Sequence, residues 1–134
     1  MELRNSVYTM RRGSDSLHLA GVGDVFVRDD NLDLVLKRLP IDGAAILLAH
    51  EPDFGDLSAS TGRFDLQISG HTHGGQVVLP FFGPPILPDL GTRYPSGLYH
   101  IGEMLLYTNR GVGMSLPPIR FNCRPEITVF TLES

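Results

Sequence analysis

The chain has 134 residues, enough for one domain with a modest core. Its net charge of −4 and its single lysine, Lys37, exclude the basic stripe that grips nucleic acid. Cys123 is the lone cysteine, which excludes an internal disulfide framework and a thiolate metal cluster.

In chain order, Ser6–Arg11 reads as a short strand ended by Arg12-Gly13-Ser14-Asp15, and Leu17–Val22 alternates well enough for a second. Asp29-Asp30-Asn31 offers N-cap residues before Leu32, Val35, Leu36 and Leu39, which fall at helical spacing until Pro40 closes the helix. Ala44–Ala49 is a continuous apolar run, as expected of a strand buried on both faces. Pro52 suits the first turn of a helix running to about Thr61, where Gly62 stops it. Phe64–Ser69 then reads as the next strand. The βαβαβ order predicts a parallel sheet with right-handed crossovers.

Beyond residue 70 the pattern turns β-rich. Gln76–Phe81, Gly97–Ile101, Met104–Thr108 and Glu126–Leu132 are strand candidates, with a tight hairpin at Gly102-Glu103. Phe82–Pro95 holds many prolines and is expected to be an irregular loop. No apolar run approaches the roughly 18–20 residues that span a bilayer. Met1-Glu2-Leu3-Arg4-Asn5 lacks a signal-peptide layout, so a cytoplasmic location, or one peripheral to the membrane, is expected.

The chemistry concentrates in Gly70-His71-Thr72-His73-Gly74-Gly75. His50 follows the buried run ending at Ala49, and His71 follows the next strand across Gly70. Both therefore emerge at the carboxyl ends of neighbouring strands, where open α/β sheets bind ligands. In extended backbone, His71 and His73 point to the same side, so three imidazoles are expected to converge, and imidazole is a common ligand for divalent transition metals. Glycines at 70, 74 and 75 let backbone approach a metal and its phosphate oxygens, and Thr72 is expected to bond the loop itself. His18 and His100 each read as the solvent-side member of a strand. A cupin-like site would need an acid soon after the His-x-His, and Gln76–Pro88 contains none.

These residues resemble the calcineurin-like metallophosphoesterase family. The resemblance rests on Leu47-Leu48-Ala49-His50-Glu51-Pro52-Asp53-Phe54 and on Gly70–Gln76. Tyr94–Tyr99, Asn109–Gly113, Pro118-Ile119-Arg120 and Arg124–Ile127 are similar to the bacterial subgroup called YkuE-like or YaeI-like. It implies an α/β fold, a metallophosphoesterase-type β-sandwich flanked by helices in four layers (αββα). It also implies a site of two divalent ions (manganese, zinc or iron) that clamps a phosphomono- or phosphodiester for in-line hydrolysis. His50 and His71 would hold one ion and His73 the other.

The family's earlier Asp-x-His, Gly-Asp-x-x-Asp and Gly-Asn-His motifs are not found; Gly23-Asp24 is followed by Val25-Phe26-Val27. Residues 1–134 are therefore expected to be the carboxyl-terminal portion of one such domain, incomplete as a sandwich. At most one ion is expected on this chain alone, with little or no activity and no catalytic residue of its own. An uncovered sheet face would favour a homodimer or the missing amino-terminal half as partner. The alternative is a non-catalytic metal-binding or assembly fragment. Asn109 and Arg110 are the best-placed candidates for substrate contact, ahead of Arg93, Arg120 and Arg124, since a guanidinium fork matches phosphate. The apolar stretch Val77–Pro88 is expected to cover the sheet; the competing reading is a lip for a lipid-linked phosphoester.

Overall fold

The computed structural model describes residues 2–133. Its frame is a six-stranded mixed sheet in the order β1-β2-β3-β4-β6-β5. The strands are β1 (Ser6–Arg12), β2 (Asp15–Gly21), β3 (Ala44–Leu48), β4 (Leu66–Ser69), β5 (Gly97–Ile101) and β6 (Met104–Thr108). Strands β2, β3, β4 and β6 run parallel, and each edge strand, β1 or β5, pairs antiparallel with its neighbour. The parallel pairing expected of the βαβαβ strands holds for β2, β3 and β4, and the expected hairpin at Gly102-Glu103 joins β5 to β6. Gly13 (φ 63) lets β1 turn straight back onto β2, and Gly102 (φ 60) does the same between β5 and β6.

The helices are short. α1 (Leu32–Arg38) starts where the Asn31 side chain accepts the Leu34 N–H, and its Leu32 and Val35 are buried. A 3-10 turn over Pro52–Phe54 leads into α2 (Gly55–Ser60). Both lie on one face of the sheet, where Leu47 and Ala20 pack with Val35, Phe54, Phe64 and Met104. No helix among the described residues is long and apolar enough to cross a membrane.

His18 departs from its expected solvent-side position. It is 2 % exposed. Its Nε2 donates to Asp42 O at 2.8 Å, so its Nδ1 accepts from the Thr9 hydroxyl at 2.8 Å. The ring ties both strands of the first hairpin to the loop entering β3. His100 does lie exposed on β5.

Two strand expectations also fail. Gln76–Phe81 makes only bridges, Val77 to Phe121 and Leu79 to Gly83, because Gln76 (φ 54) turns the chain and Pro80 has no N–H to give a ladder. Glu126–Leu132 runs without a strand partner among the described residues. It lies along the sheet face opposite the helices, where Phe130 packs edge-on against Tyr107 at 5.2 Å between ring centres.

That face is only partly covered. Register places Tyr8, Leu19, Ile46, Leu66 and Leu105 in one row across it. Tyr8, Met10, Leu48 and Leu98 on the same face remain exposed. A groove of about 590 Å³ runs between Met10, Leu17, Ile46 and Leu105 on the sheet and Thr131-Leu132 of the tail.

The tail is held by Glu126. Burial pushes its carboxyl upward, but hydrogen bonds from the Tyr107 and Thr128 hydroxyls and the Arg110 cation together bring it below its ordinary value. A carboxyl depressed on folding stabilises above its unfolded pKa, and the contribution is lost as pH falls through the folded value. Tail docking, followed by intrinsic tyrosine fluorescence, is therefore expected to be constant near neutrality. It should loosen only below about pH 4.3, the ordinary glutamate value. Glu126→Gln should abolish that acid step, and an unchanged step would assign it elsewhere.

Candidate metal centre

The site begins with two adjacent parallel strands that end together. Ala49 N–H bonds Ile68 O at 3.2 Å, and Gly70 N–H bonds His50 O at 3.1 Å, so the exits of β3 and β4 are joined by backbone. His50 stands exposed at the first exit. Glu51, the next residue, is 0 % exposed. After Gly70, His71 (φ 65) and His73 (φ 52) both adopt the left-handed conformation, with Gly74 (φ 61) and Gly75 (φ 80) following. Two non-glycine residues in that region are strained, and such strain gathers at functional sites.

Thr72 holds the turn. Its hydroxyl donates to Pro95 O at 2.6 Å and accepts the Gly74 N–H at 3.1 Å. Gly74 could be no larger residue, since a Cβ there would stand 2.7 Å from both Arg110 Cγ and Cys123 Sγ. Arg120 closes the loop from below, its guanidinium donating to the carbonyls of His73 (3.1 Å), Arg110 (2.8 Å) and Gly113 (2.7 Å). Arg120 is thus a strut of the loop.

His50 and His71 meet edge-on, with ring centres 5.0 Å apart. With Glu51 they form a group whose candidate donor atoms all lie within 4.8 Å of one another. Glu51 Oε2 accepts the Val25 N–H at 3.2 Å, whereas its Oε1 is buried without a hydrogen-bond partner. A buried carboxylate oxygen left unpaired is costly, and a cation beside it would remove the cost. His71 Nε2 lies 2.9 Å from Asp89 O. A carbonyl only accepts, so Nε2 carries the proton and Nδ1 keeps its lone pair, the tautomer set by a backbone partner that metal-ligating histidines commonly show. These residues fit a divalent cation.

His73 lies outside that group. The positive φ at both histidines replaces the extended backbone expected to align the rings, and the group within 4.8 Å consists of two imidazoles and a carboxylate. His73 Nδ1 instead donates to Gln76 Oε1 at 3.1 Å, an oxygen that also accepts the Ser115 N–H at 2.6 Å. That leaves His73 Nε2 with its lone pair free for a ligand. Glu51 was the residue sequence reasoning missed; its place beside His50 was the available signal.

Asn109 and Arg110 leave β6 beside the end of β4, with Asn109 N–H bonded to Ser69 O at 2.9 Å. The Asn109 side chain accepts the Gly111 N–H at 2.6 Å and donates to Thr128 at 2.8 Å, both within the loop and tail. Arg110 Nε lies 2.9 Å from Glu126 Oε2. Arg93 pairs with Asp56, and Arg124 is exposed.

A mixed α/β sheet that ends in a cluster able to hold a cation fits a metallophosphoesterase-like α/β fold. Along nearly its whole length the chain is similar to curated proteins named metallophosphoesterases, consistent with the calcineurin-like bacterial subgroup. It is 43% identical over 132 residues to the metallophosphoesterase YkuE of Bacillus subtilis, covering 98% of this chain and 46% of that protein. It is 46% identical over 87 residues to the phosphodiesterase YaeI of Escherichia coli, covering 65% of this chain and 32% of the relative. It is 35% identical over 123 residues to the UDP-2,3-diacylglucosamine pyrophosphatase LpxG of Chlamydia trachomatis, covering 85% of this chain and 36% of the relative. The chain thus spans half or less of the length of each of these curated relatives. No protein-family model matches it, and no solved structure matches it.

Proposed function

We propose that this chain supplies the histidine side of a two-metal phosphoesterase site and that the intact protein hydrolyses phosphoric mono- or diesters. The observation that carries the proposal is the meeting of His50, Glu51 and His71 at the exits of two adjacent parallel strands. His50 and His71, with Glu51 beside them, would hold one divalent ion, and the free Nε2 of His73 would serve a second. Bound ions of this kind neutralise phosphoryl oxygens and make water a stronger nucleophile at neutral pH. Protein groups do the rest: Glu51 adds negative charge beside the imidazoles, Thr72 and Arg120 fix the loop, and Arg110 offers a guanidinium for the substrate phosphate, with Asn109 shaping its approach.

Charge balance argues for further ligands. One carboxylate and three neutral imidazoles poorly offset two divalent ions. The half-open sheet face from Tyr8 to Leu98 is where a second sheet would complete a four-layer sandwich, and residues 1–134 are then the carboxyl-terminal portion of that domain. The relative LpxG is named for a diacylated sugar nucleotide, which supports a lipid-linked phosphoester as the substrate class. The rival reading, a non-catalytic metal-binding fragment, draws on the single cluster of metal-ligating residues among the described residues.

Hydrolysis of a nitrophenyl phosphodiester with added manganese separates these readings. The 134-residue chain is expected to bind manganese and show little turnover. Metal-dependent turnover by this chain alone, abolished by His71→Ala, would mean that it holds a complete site and would overturn the division proposed here.

A further inference from the structure

Directly beyond the candidate metal loop, the chain makes a small hairpin that the site does not explain. From Gln76 to Pro88 there is no charged side chain. Leu79 and Gly83 close the hairpin by exchanging N–H to O bonds of 2.9 Å each, and Phe82 N–H adds a bond of 3.2 Å to Leu79 O. Pro80, Pro84 and Pro85 carry no N–H, so between Leu79 and Pro85 the Phe81 N–H is the one donor without a backbone partner. The segment thus carries few donors, and the carbonyls of Pro80, Phe81, Phe82, Pro84, Pro85 and Ile86, which accept no backbone bond, can keep their water at the headgroup level of a bilayer.

The tip displays its apolar side chains rather than hiding them. Phe81 takes φ 68, a conformation that bulky residues seldom adopt, and its ring is fully exposed. Phe82 is 87% and Ile86 79% exposed. The expectation that Val77–Pro88 covers the sheet therefore fails at its tip. Backbone strain and exposed aromatic surface both disfavour this arrangement in water, which points to a contact made elsewhere. The base is firm: a Cβ on Gly75 would overlap Pro84, and one on Gly91 would come within 2.6 Å of the Thr72 methyl carbon and 3.4 Å of Pro88. The neighbouring segment joins through the Val77–Phe121 bridge and exposes Leu116, Ile119 and Phe121, which extends the apolar surface.

We propose that the Leu79–Ile86 hairpin is a wedge that seats the protein on a lipid bilayer, with Phe81 and Phe82 inserted at the interface. A protein partner would ordinarily find about one hydrogen bond per 100–200 Å² of contact, and within Leu79–Ile86 only the Phe81 and Ile86 N–H groups lack a backbone partner and no side chain is charged, which leaves such a partner few donors. With a net charge of −4, attachment rests on apolar insertion and not on anionic lipid. Seating the wedge would bring the metal loop beside it to phosphoesters at the membrane surface; that last step rests on the proposed function, whereas the insertion itself does not.

The chain contains no tryptophan, so Phe82→Trp creates a single reporter. Phosphatidylcholine vesicles are expected to shift its emission to the blue and brominated lipid to quench it, with Phe81→Ser in the same background lowering partition about tenfold. Ile41→Trp, 90% exposed in the loop entering β3 at the opposite end of the strands, should not respond. His71→Ala in the reporter background should leave vesicle binding unchanged, which separates the wedge from the metal reading. Emission unmoved by excess lipid would overturn the wedge. So would an equal response at Ile41→Trp, or a blue shift that follows protein concentration without lipid, which would assign the tip to a second copy of the chain.

Discussion

His71→Ala is expected to weaken binding of a divalent ion by roughly 100-fold or more, since it removes a ligand where outer-shell changes alone cost 10–100-fold. The reasoning is geometric. His71 lies in the only group among the described residues that places three metal-ligating side chains within 4.8 Å. Its Nε2 is committed to Asp89 O, so its remaining nitrogen would be the ligand atom. Titration calorimetry with zinc and manganese measures the loss directly. Zinc also binds surface imidazoles loosely, so His100→Ala, on the exposed side of β5, is the matched control and should change nothing. A second readout comes from linkage: an ion at 100 times its Kd stabilises the folded chain by about 2.7 kcal/mol, and that gain should vanish in His71→Ala. Glu51→Gln keeps the shape and the acceptor for Val25 N–H but removes the charge, so an intermediate loss would show the carboxylate acting on the ion. Equal affinity in wild type and His71→Ala would remove the metal centre proposed here.

Leu47→Ala is expected to cost about 2–5 kcal/mol of folding stability, the range for deleting a buried leucine side chain. Leu47 is fully buried in the middle of β3, on the face that carries α1 and α2. Its neighbours are held by the sheet on one side and by Val35 and Phe54 on the other, so the cavity cannot readily collapse. Urea denaturation followed by circular dichroism should show a lower midpoint at an unchanged slope. Leu48→Ala makes the useful comparison. Leu48 is adjacent in sequence but points to the half-open face, where loss of its side chain should cost much less. If both substitutions cost the same, the open face is covered in solution, by a second copy or by the tail.

Much of the frame was legible in local chemistry. The apolar run Ala44–Ala49 and the capping residue Asn31 each act within a few positions, so β3 and α1 fall where periodicity and capping put them. Placing His50 and His71 at neighbouring strand exits followed from the βαβ order alone. The Gln76–Phe81 and Glu126–Leu132 stretches misled because they have strand composition but no neighbour to pair with, and β propensity is mostly a matter of fit to a sheet. His18 misled because alternation along a strand tells which residues share a face but not which face is covered.

By itself, the sequence determined the residue types that can do metal chemistry, the glycines that let backbone crowd around them, and the strands that carry them to one edge of the sheet. Tertiary structure alone decided which of those residues meet. The loop after β4 sets the His71 ring edge-on to His50, and the turn after β3 buries Glu51 beside them with one oxygen unpaired. The reason is physical: strand and turn preferences are set by neighbours along the chain, whereas the burial of a carboxylate and the aim of a ring depend on what another strand places against them.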